Sequence, residues 1–276
     1  MLNGRAVDLS LPVVMAIVNA TPDSFFADSR SLDEASLVAH IDAAVSEGAT
    51  ILDVGGCSTR PQADFPSEEE EWRRVAWALK VVRQRYPDVP ISVDTFRASV
   101  AERAVTEFGV AIVNDVSGGC MDAVLLPTVA RLQVPYVLTH AYGFPTMQHM
   151  LPENADFLPA VLRYFAEKIA TLRALGFDKE IIIDPGFGFG KTLGQNWLLL
   201  RNLKLFEVFN APILAGLSRK SMLCKPLGIT PADALNATTA ANMLALQGGA
   251  HILRVHDVKE AVQTIKIASG EFLNKE

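Results

Sequence analysis

Eight short apolar runs recur along this chain, and each stops at a polar or charged residue that a sheet interior would not choose. Val13 to Val18 stops at Asn19, Ile51-Leu52 at Asp53, Ile91 to Val93 at Asp94, and Val110 to Val113 at Asn114-Asp115. Tyr136 to Leu138 stops at Thr139-His140 and Ile181 to Ile183 at Asp184. Ile213 to Gly216 leads to Ser218-Arg219-Lys220, and His251 to Leu253 leads to Arg254-Val255-His256-Asp257. Between the runs lie segments with helical spacing. Leu32 to Glu47 has Asp33 as a cap and Gly48 as a stop, while Ser67 followed by Glu68-Glu69-Glu70 starts a helix running to about Tyr86. Further helices are predicted over Arg97–Glu107, Ala123–Leu132, Asn154–Leu175, Asn196–Phe206, Pro231–Gln247 and Val258–Gly270. Strictly alternating strand and helix means parallel strands with right-handed crossovers. Eight such units in 276 residues, without a linker, predict an α/β chain of one domain, residues 1–276, closed as a (β/α)8 TIM barrel. In that architecture the eight polar strand ends meet on one face, where catalytic groups gather. For any single strand end, such as Asp53 or Asp115, a helix cap explains the residue equally well; eight together argue for a site.

Composition narrows the chemistry. A formal net charge of -6 speaks against broad nucleic-acid binding, which needs clustered Lys and Arg, so any anion site must be local. Cys57, Cys120 and Cys224 are widely spaced and form no Cys-x-x-Cys or Cys/His cluster, so neither a zinc site nor a disulfide framework is expected. The early apolar run from Leu11 to Val18 is too short for a membrane span and has no basic stretch before it, so a soluble cytoplasmic protein is expected. Gly190-Lys191-Thr192 resembles the end of a phosphate-binding P-loop. The glycine such a loop requires five positions before Gly190 is Pro185, so ATP binding is not expected.

Four stretches are specific: Asn19 to Phe25, Asp53 to Pro61, Asp184 to Thr192, and Ser218 to Ser221. With Arg254 to Asp257, they occur in order, each at a predicted strand end, and the chain resembles the dihydropteroate synthase family over almost its whole length. The resemblance implies a pterin-binding TIM barrel of folate biosynthesis. It would join p-aminobenzoate to 6-hydroxymethyl-7,8-dihydropterin pyrophosphate, with Mg2+ assisting and pyrophosphate leaving. It places Asp94, Asn114, Asp184 and Lys220 on the pterin, and Thr59, Arg60, Arg254 and His256 on the pyrophosphate. Asn19 offers an oxygen to Mg2+, Pro61 and Phe189 hold the aminobenzoate ring, and Ser218 meets its carboxylate. Asp94, Asp184, Lys220 and Arg254 are the expected catalytic set. Arg254 and His256, two apart, would point the same way if the last strand continued that far.

The chain departs from the family pattern at Cys57, where Glu is usual, at Thr139 in place of Met and Leu217 in place of Thr, and in the Phe26–Arg30 turn. None of these removes a group named above. No residue is inserted beside Phe189, so sulfonamides, which mimic aminobenzoate, should bind. A corrinoid-dependent methyltransferase of the same superfamily is the rival enzyme, but it needs no pyrophosphate site; a non-catalytic pterin-binding paralogue is the rival outside catalysis. The family also implies pairing of two copies through helices on the far side.

Overall fold

The computed structural model describes residues 9–20, 30–57, 65–143 and 156–270. Eight parallel strands run through them: β1 (Val13–Asn19), β2 (Ile51–Gly55), β3 (Ile91–Asp94), β4 (Ile112–Asp115), β5 (Tyr136–Thr139), β6 (Ile181–Asp184), β7 (Leu214–Ala215) and β8 (Ile252–Val255). Neighbours pair in chain order from β1 to β6, while β8 lies between β1 and β7. A parallel bridge between Ile183 and Ile213, with the Ile183 N–H donating to the Pro212 carbonyl at 2.8 Å, brings β6 to β7 and closes the ring. The expected (β/α)8 barrel is therefore formed.

The two-residue period of a strand explains how one run feeds two cores. Met15, Ile51, Ile112, Val137, Ile182, Leu214 and Ile252 make one buried cluster, which fills the barrel interior. Their alternates, among them Val14, Leu52, Val113, Leu138, Ile183 and Leu253, join a second cluster with helix residues such as Ile41, Leu79, Val129 and Phe165. Each such side chain removed from water contributes about 1.5–3 kcal/mol, so both faces of every strand are committed. Two residues beyond the inner apolar cluster, on the same strand faces, stand Asp53, Asn114, Thr139, Asp184 and Arg254, and Asp94 is in register with Asn114. The barrel interior thus changes from apolar to polar within one side-chain layer.

The helices among the described residues are α1 (Arg30–Ser46), α2 (Glu68–Arg85), α3 (Ala98–Phe108), α4 (Leu125–Leu132), α5 (Phe157–Ala174), α6 (Leu193–Arg201), α7 (Ser221–Leu227), α8 (Leu235–Gln247) and α9 (Val258–Ser269). Ser67 caps α2 as expected, its hydroxyl accepting the Glu70 N–H at 3.2 Å. Other ends differ from the sequence reading. Because α1 already begins at Arg30, Asp33 lies in its first turn and not at its cap. Thr192 and Gln195 form a reciprocal capping box, which starts α6 at Leu193, three residues before the expected Asn196. The remainder of that predicted helix is a 3-10 segment, Leu203–Phe209. Pro231–Asp233 is a separate 3-10 turn before α8, and α7, with Pro226 inside it, was not anticipated. None of the described helices is long and apolar enough to cross a membrane, and none of the three cysteines forms a disulfide.

Candidate active site

Arg254 organises the polar layer. From β8 its Nε donates to Asp53 Oδ2 at 2.6 Å and its Nη2 to Asp94 Oδ2 at 2.6 Å. Asn114 on β4 donates from Nδ2 to the same Asp53 oxygen at 2.9 Å. Four strands therefore meet at one guanidinium. Burial lowers the Arg254 pKa, but Asp53 and Asp94 outweigh it and hold the group above its ordinary value, so it stays charged. Burial pushes Asp94 the other way, up to about 7; Arg254 opposes this, and Asp53, Glu71 and Asp115 add to it.

On the opposite side of the barrel, Asp184 Oδ1 accepts the Gly186 N–H at 2.8 Å, an internal turn that aims the carboxylate. Burial raises its pKa, opposed first by Lys220. Lys220 Nζ donates to the Phe187 carbonyl and stands 4.7 Å from the centroid of the Phe189 ring. Burial draws its ammonium down to about 8 against the pull of Asp184. The loop from Gly186 to Gly190 is pressed onto the β5 loop. A Cβ at Gly190, where φ is +63°, would lie 1.8 Å from the Tyr142 carbonyl oxygen.

Arg254 and His256, both expected on pyrophosphate, do not share a direction. β8 ends at Val255, one residue short of His256, so the condition for their alignment is not met. Arg254 is drawn inward by its carboxylates, while exposed His256 pairs through Nδ1 with Ser218 Oγ at 2.9 Å. Asn19 stands exposed at the end of β1. Thr59, Arg60 and Pro61 lie outside the described residues, as do Thr21 to Ser29, which include the departure at Phe26 to Ser29.

Several residues near the site are structural. Lys191, the P-loop decoy, is buried and donates to the carbonyls of His140, Gly186 and Phe189, at 2.8, 2.8 and 3.2 Å. Asp115 accepts from the N–H groups of Ser117 and Gly119 and from the Tyr136 hydroxyl, which shapes the β4 loop. Behind the site, fully buried Glu71 accepts from Thr95 and Arg97, and Arg97 also reaches the Pro66 carbonyl. Cys57 packs with Phe96 and Val116; burial, followed by Glu71 and Asp94, pushes its thiol up to about 12, so it is no nucleophile at neutral pH. Asp53, for which a helix cap and a place in the site weigh equally in the sequence, belongs to the polar layer. Its place inside β2, two residues after the inward Ile51, was the available signal.

A barrel whose inner layer presents carboxylates, an amide and two cations, with flanking aromatics, is built for a flat, polar-edged ring. The chain belongs to the pterin binding enzyme family, whose profile matches residues 15–256. It is 40% identical over 274 residues to the dihydropteroate synthase of Escherichia coli (strain K12), covering 99% of this chain and 96% of that protein. To the dihydropteroate synthase of Bacillus subtilis (strain 168) it is 38% identical, covering 95% and 89%. Its fold matches the Yersinia pestis dihydropteroate synthase with a sulfonamide drug at a TM-score of 0.89, 36% identity, and 99% and 98% coverage. The Xanthomonas albilineans dihydropteroate synthase with 4-aminobenzoic acid gives 0.88, 38%, and 99% and 97%.

Proposed function

We propose that this chain is a transferase of folate biosynthesis, condensing 6-hydroxymethyl-7,8-dihydropterin pyrophosphate with p-aminobenzoate to give 7,8-dihydropteroate and pyrophosphate. The observation that carries this is the polar layer of Asp94, Asn114, Asp184, Lys220 and Arg254 at one end of an otherwise apolar barrel interior. A pterin edge alternates N–H donors with ring acceptors. Asp94 and Asp184 accept from it, while Lys220 donates to it. Each buried partner left unpaired costs about 1–3 kcal/mol, so the pocket rejects rings with another pattern.

Breaking the bond between the pterin methylene carbon and the pyrophosphate oxygen sends the electron pair out with pyrophosphate. Positive charge stays on the methylene carbon and spreads into the ring. The fixed carboxylates of Asp94 and Asp184 favour that cation, and Lys220 keeps the ring oriented. The amino nitrogen of p-aminobenzoate then forms the new C–N bond and releases a proton to water. Phe189 flanks its ring and the Ser218–His256 pair offers donors to anionic oxygens; the family pattern adds Thr59 and Arg60 for the pyrophosphate and Pro61 for the ring. No covalent intermediate on the protein is required.

Mg2+, when bound with pyrophosphate, would supply neutralising charge to the leaving group. Asn19 fits it with one hard oxygen. Mg2+ takes most of its ligands from water and substrate phosphate, so a single side-chain oxygen is the contribution asked of the chain. The same reading includes a cytoplasmic homodimer. Exposed Leu198, Leu205, Val208, Leu227 and Leu244, on α6, the following 3-10 segment, α7 and α8, support pairing on the outer wall. Pyrophosphate release by the purified chain, dependent on both substrates, tests the activity. Methyl transfer to a corrinoid without pyrophosphate release would overturn it.

A further inference from the structure

The mechanism above leaves one carboxylate of the polar layer unused. Asp53 lies within β2, fully buried, in register with Ile17 on β1 and Ser92 on β3. It is thus one step deeper in the barrel than Asp94, which is in register with Gly55. One of its oxygens, Oδ2, holds both Arg254 Nε and Asn114 Nδ2, while Oδ1 is buried without a partner among the described residues. An unpaired buried oxygen of this kind costs stability, which a purely structural residue has no reason to retain.

Two consequences follow from chemistry alone. A guanidinium is planar, so fixing Nε on Asp53 and Nη2 on Asp94 fixes the plane of Arg254. An ionised carboxylate only accepts, so the Asn114 atom facing it must be the amide nitrogen. Asn114 Oδ1 and the second Nδ2 N–H then remain side by side, an acceptor beside a donor. The matching ligand edge carries an amino group next to an unprotonated ring nitrogen.

We propose that Asp53 is the positioning residue for pterin recognition: it sets the plane of Arg254 and the amide orientation of Asn114, and so decides which heterocycle edge the pocket accepts. This rests on the pterin-binding reading above. In 6-hydroxymethyllumazine a carbonyl replaces the 2-amino group and the adjacent ring nitrogen carries hydrogen, which inverts the donor–acceptor pair. Binding of 6-hydroxymethylpterin and 6-hydroxymethyllumazine by calorimetry, in wild type and in Asp53→Asn, tests the assignment. Wild type should prefer the pterin. In Asp53→Asn, residue 53 can donate as well as accept, Asn114 is free to turn, and the preference should shrink about tenfold. The KM for p-aminobenzoate should stay within about twofold, since its site is elsewhere. An unchanged preference in the folded variant, or equal weakening of both ligands, overturns the proposal. If the Asn variant does not fold, Asp53→Ser, smaller and also able to donate or accept, carries the same two outcomes. Wild type that binds neither ring would instead refute the functional reading itself.

Discussion

Asp94 and Lys220 titrate on either side of a narrow window, and that window should be visible in the kinetics. Burial raises Asp94 to about 7, and burial lowers Lys220 to about 8. Asp94 accepts and carries charge only above its pKa, whereas Lys220 donates and carries charge only below its own. The fraction of enzyme with both groups competent is the product of two titrations: about 0.6 at pH 7.5 and about 0.1 at both pH 6 and pH 9. The expected kcat/KM for the pterin substrate is therefore a bell that falls about sixfold over one and a half units on each side. Initial rates of pyrophosphate release, at low pterin substrate and saturating p-aminobenzoate, would be followed from pH 5.5 to 9.5 at constant ionic strength (about ten points resolve both limbs). The pyrophosphate substrate itself titrates near pH 6, so the residual activity of Asp94→Asn serves as the control: the part of the acid limb centred near pH 7 should vanish, leaving only the substrate's own fall below about pH 6, while the alkaline limb stays. Lys220→Arg should push the alkaline limb out of range, because a guanidinium does not deprotonate there. A profile flat from pH 6 to 9, or an acid limb unchanged in Asp94→Asn, would refute the reasoning.

Other outcomes follow from single features. His140 is buried edge-on to Tyr164, and burial, then Lys191, draws its pKa to about 2. With the folded value below the unfolded one of about 6.5, stability is whole above pH 6.5 and drains as pH falls, by about 2 kcal/mol at pH 5. Urea unfolding at pH 7 and pH 5 should show this slope, reduced by one proton in His140→Phe. Gly190→Ala puts a methyl 1.8 Å from the Tyr142 carbonyl at a left-handed backbone position, so activity and thermal midpoint should both drop, by at least about 2 kcal/mol in stability. Arg97→Met leaves Glu71 buried without its cation and should cost about 3–5 kcal/mol, which adding Glu71→Gln should largely restore; no restoration would mean Arg97 acts by packing alone. A sulfonamide should compete with p-aminobenzoate and not with the pterin substrate in steady-state assays; inhibition of the opposite pattern would displace the ring site from Phe189.

Much of this protein was legible in one dimension, because the determining physics is local and periodic. Eight apolar runs separated by helical segments leave a closed parallel barrel as the economical way to cover both strand faces, and the strands lie where the runs do. Ser67 and the acids Glu68-Glu69-Glu70 announced α2, and Lys191, which follows the Pro185 that breaks the P-loop pattern, is buried and donates to backbone carbonyls. Short or interrupted elements were hidden for equally local reasons. Seven residues containing Pro226 carry too little periodicity to declare α7, and the Thr192–Gln195 box was obscured by its P-loop likeness.

What only three dimensions decided is the pairing of charges. Asp53 and Arg254 are 201 positions apart, yet Arg254 turns inward to Asp53 and Asp94, while His256, two residues on, pairs with Ser218. No sequence spacing encodes that choice. It arises because closing the ring sets β8 beside β1 and within reach of β2 and β3, in a low-dielectric interior where a guanidinium must find carboxylates. The residue types that do the chemistry were written in the chain; which atom of each faces the ligand was settled only when the barrel closed.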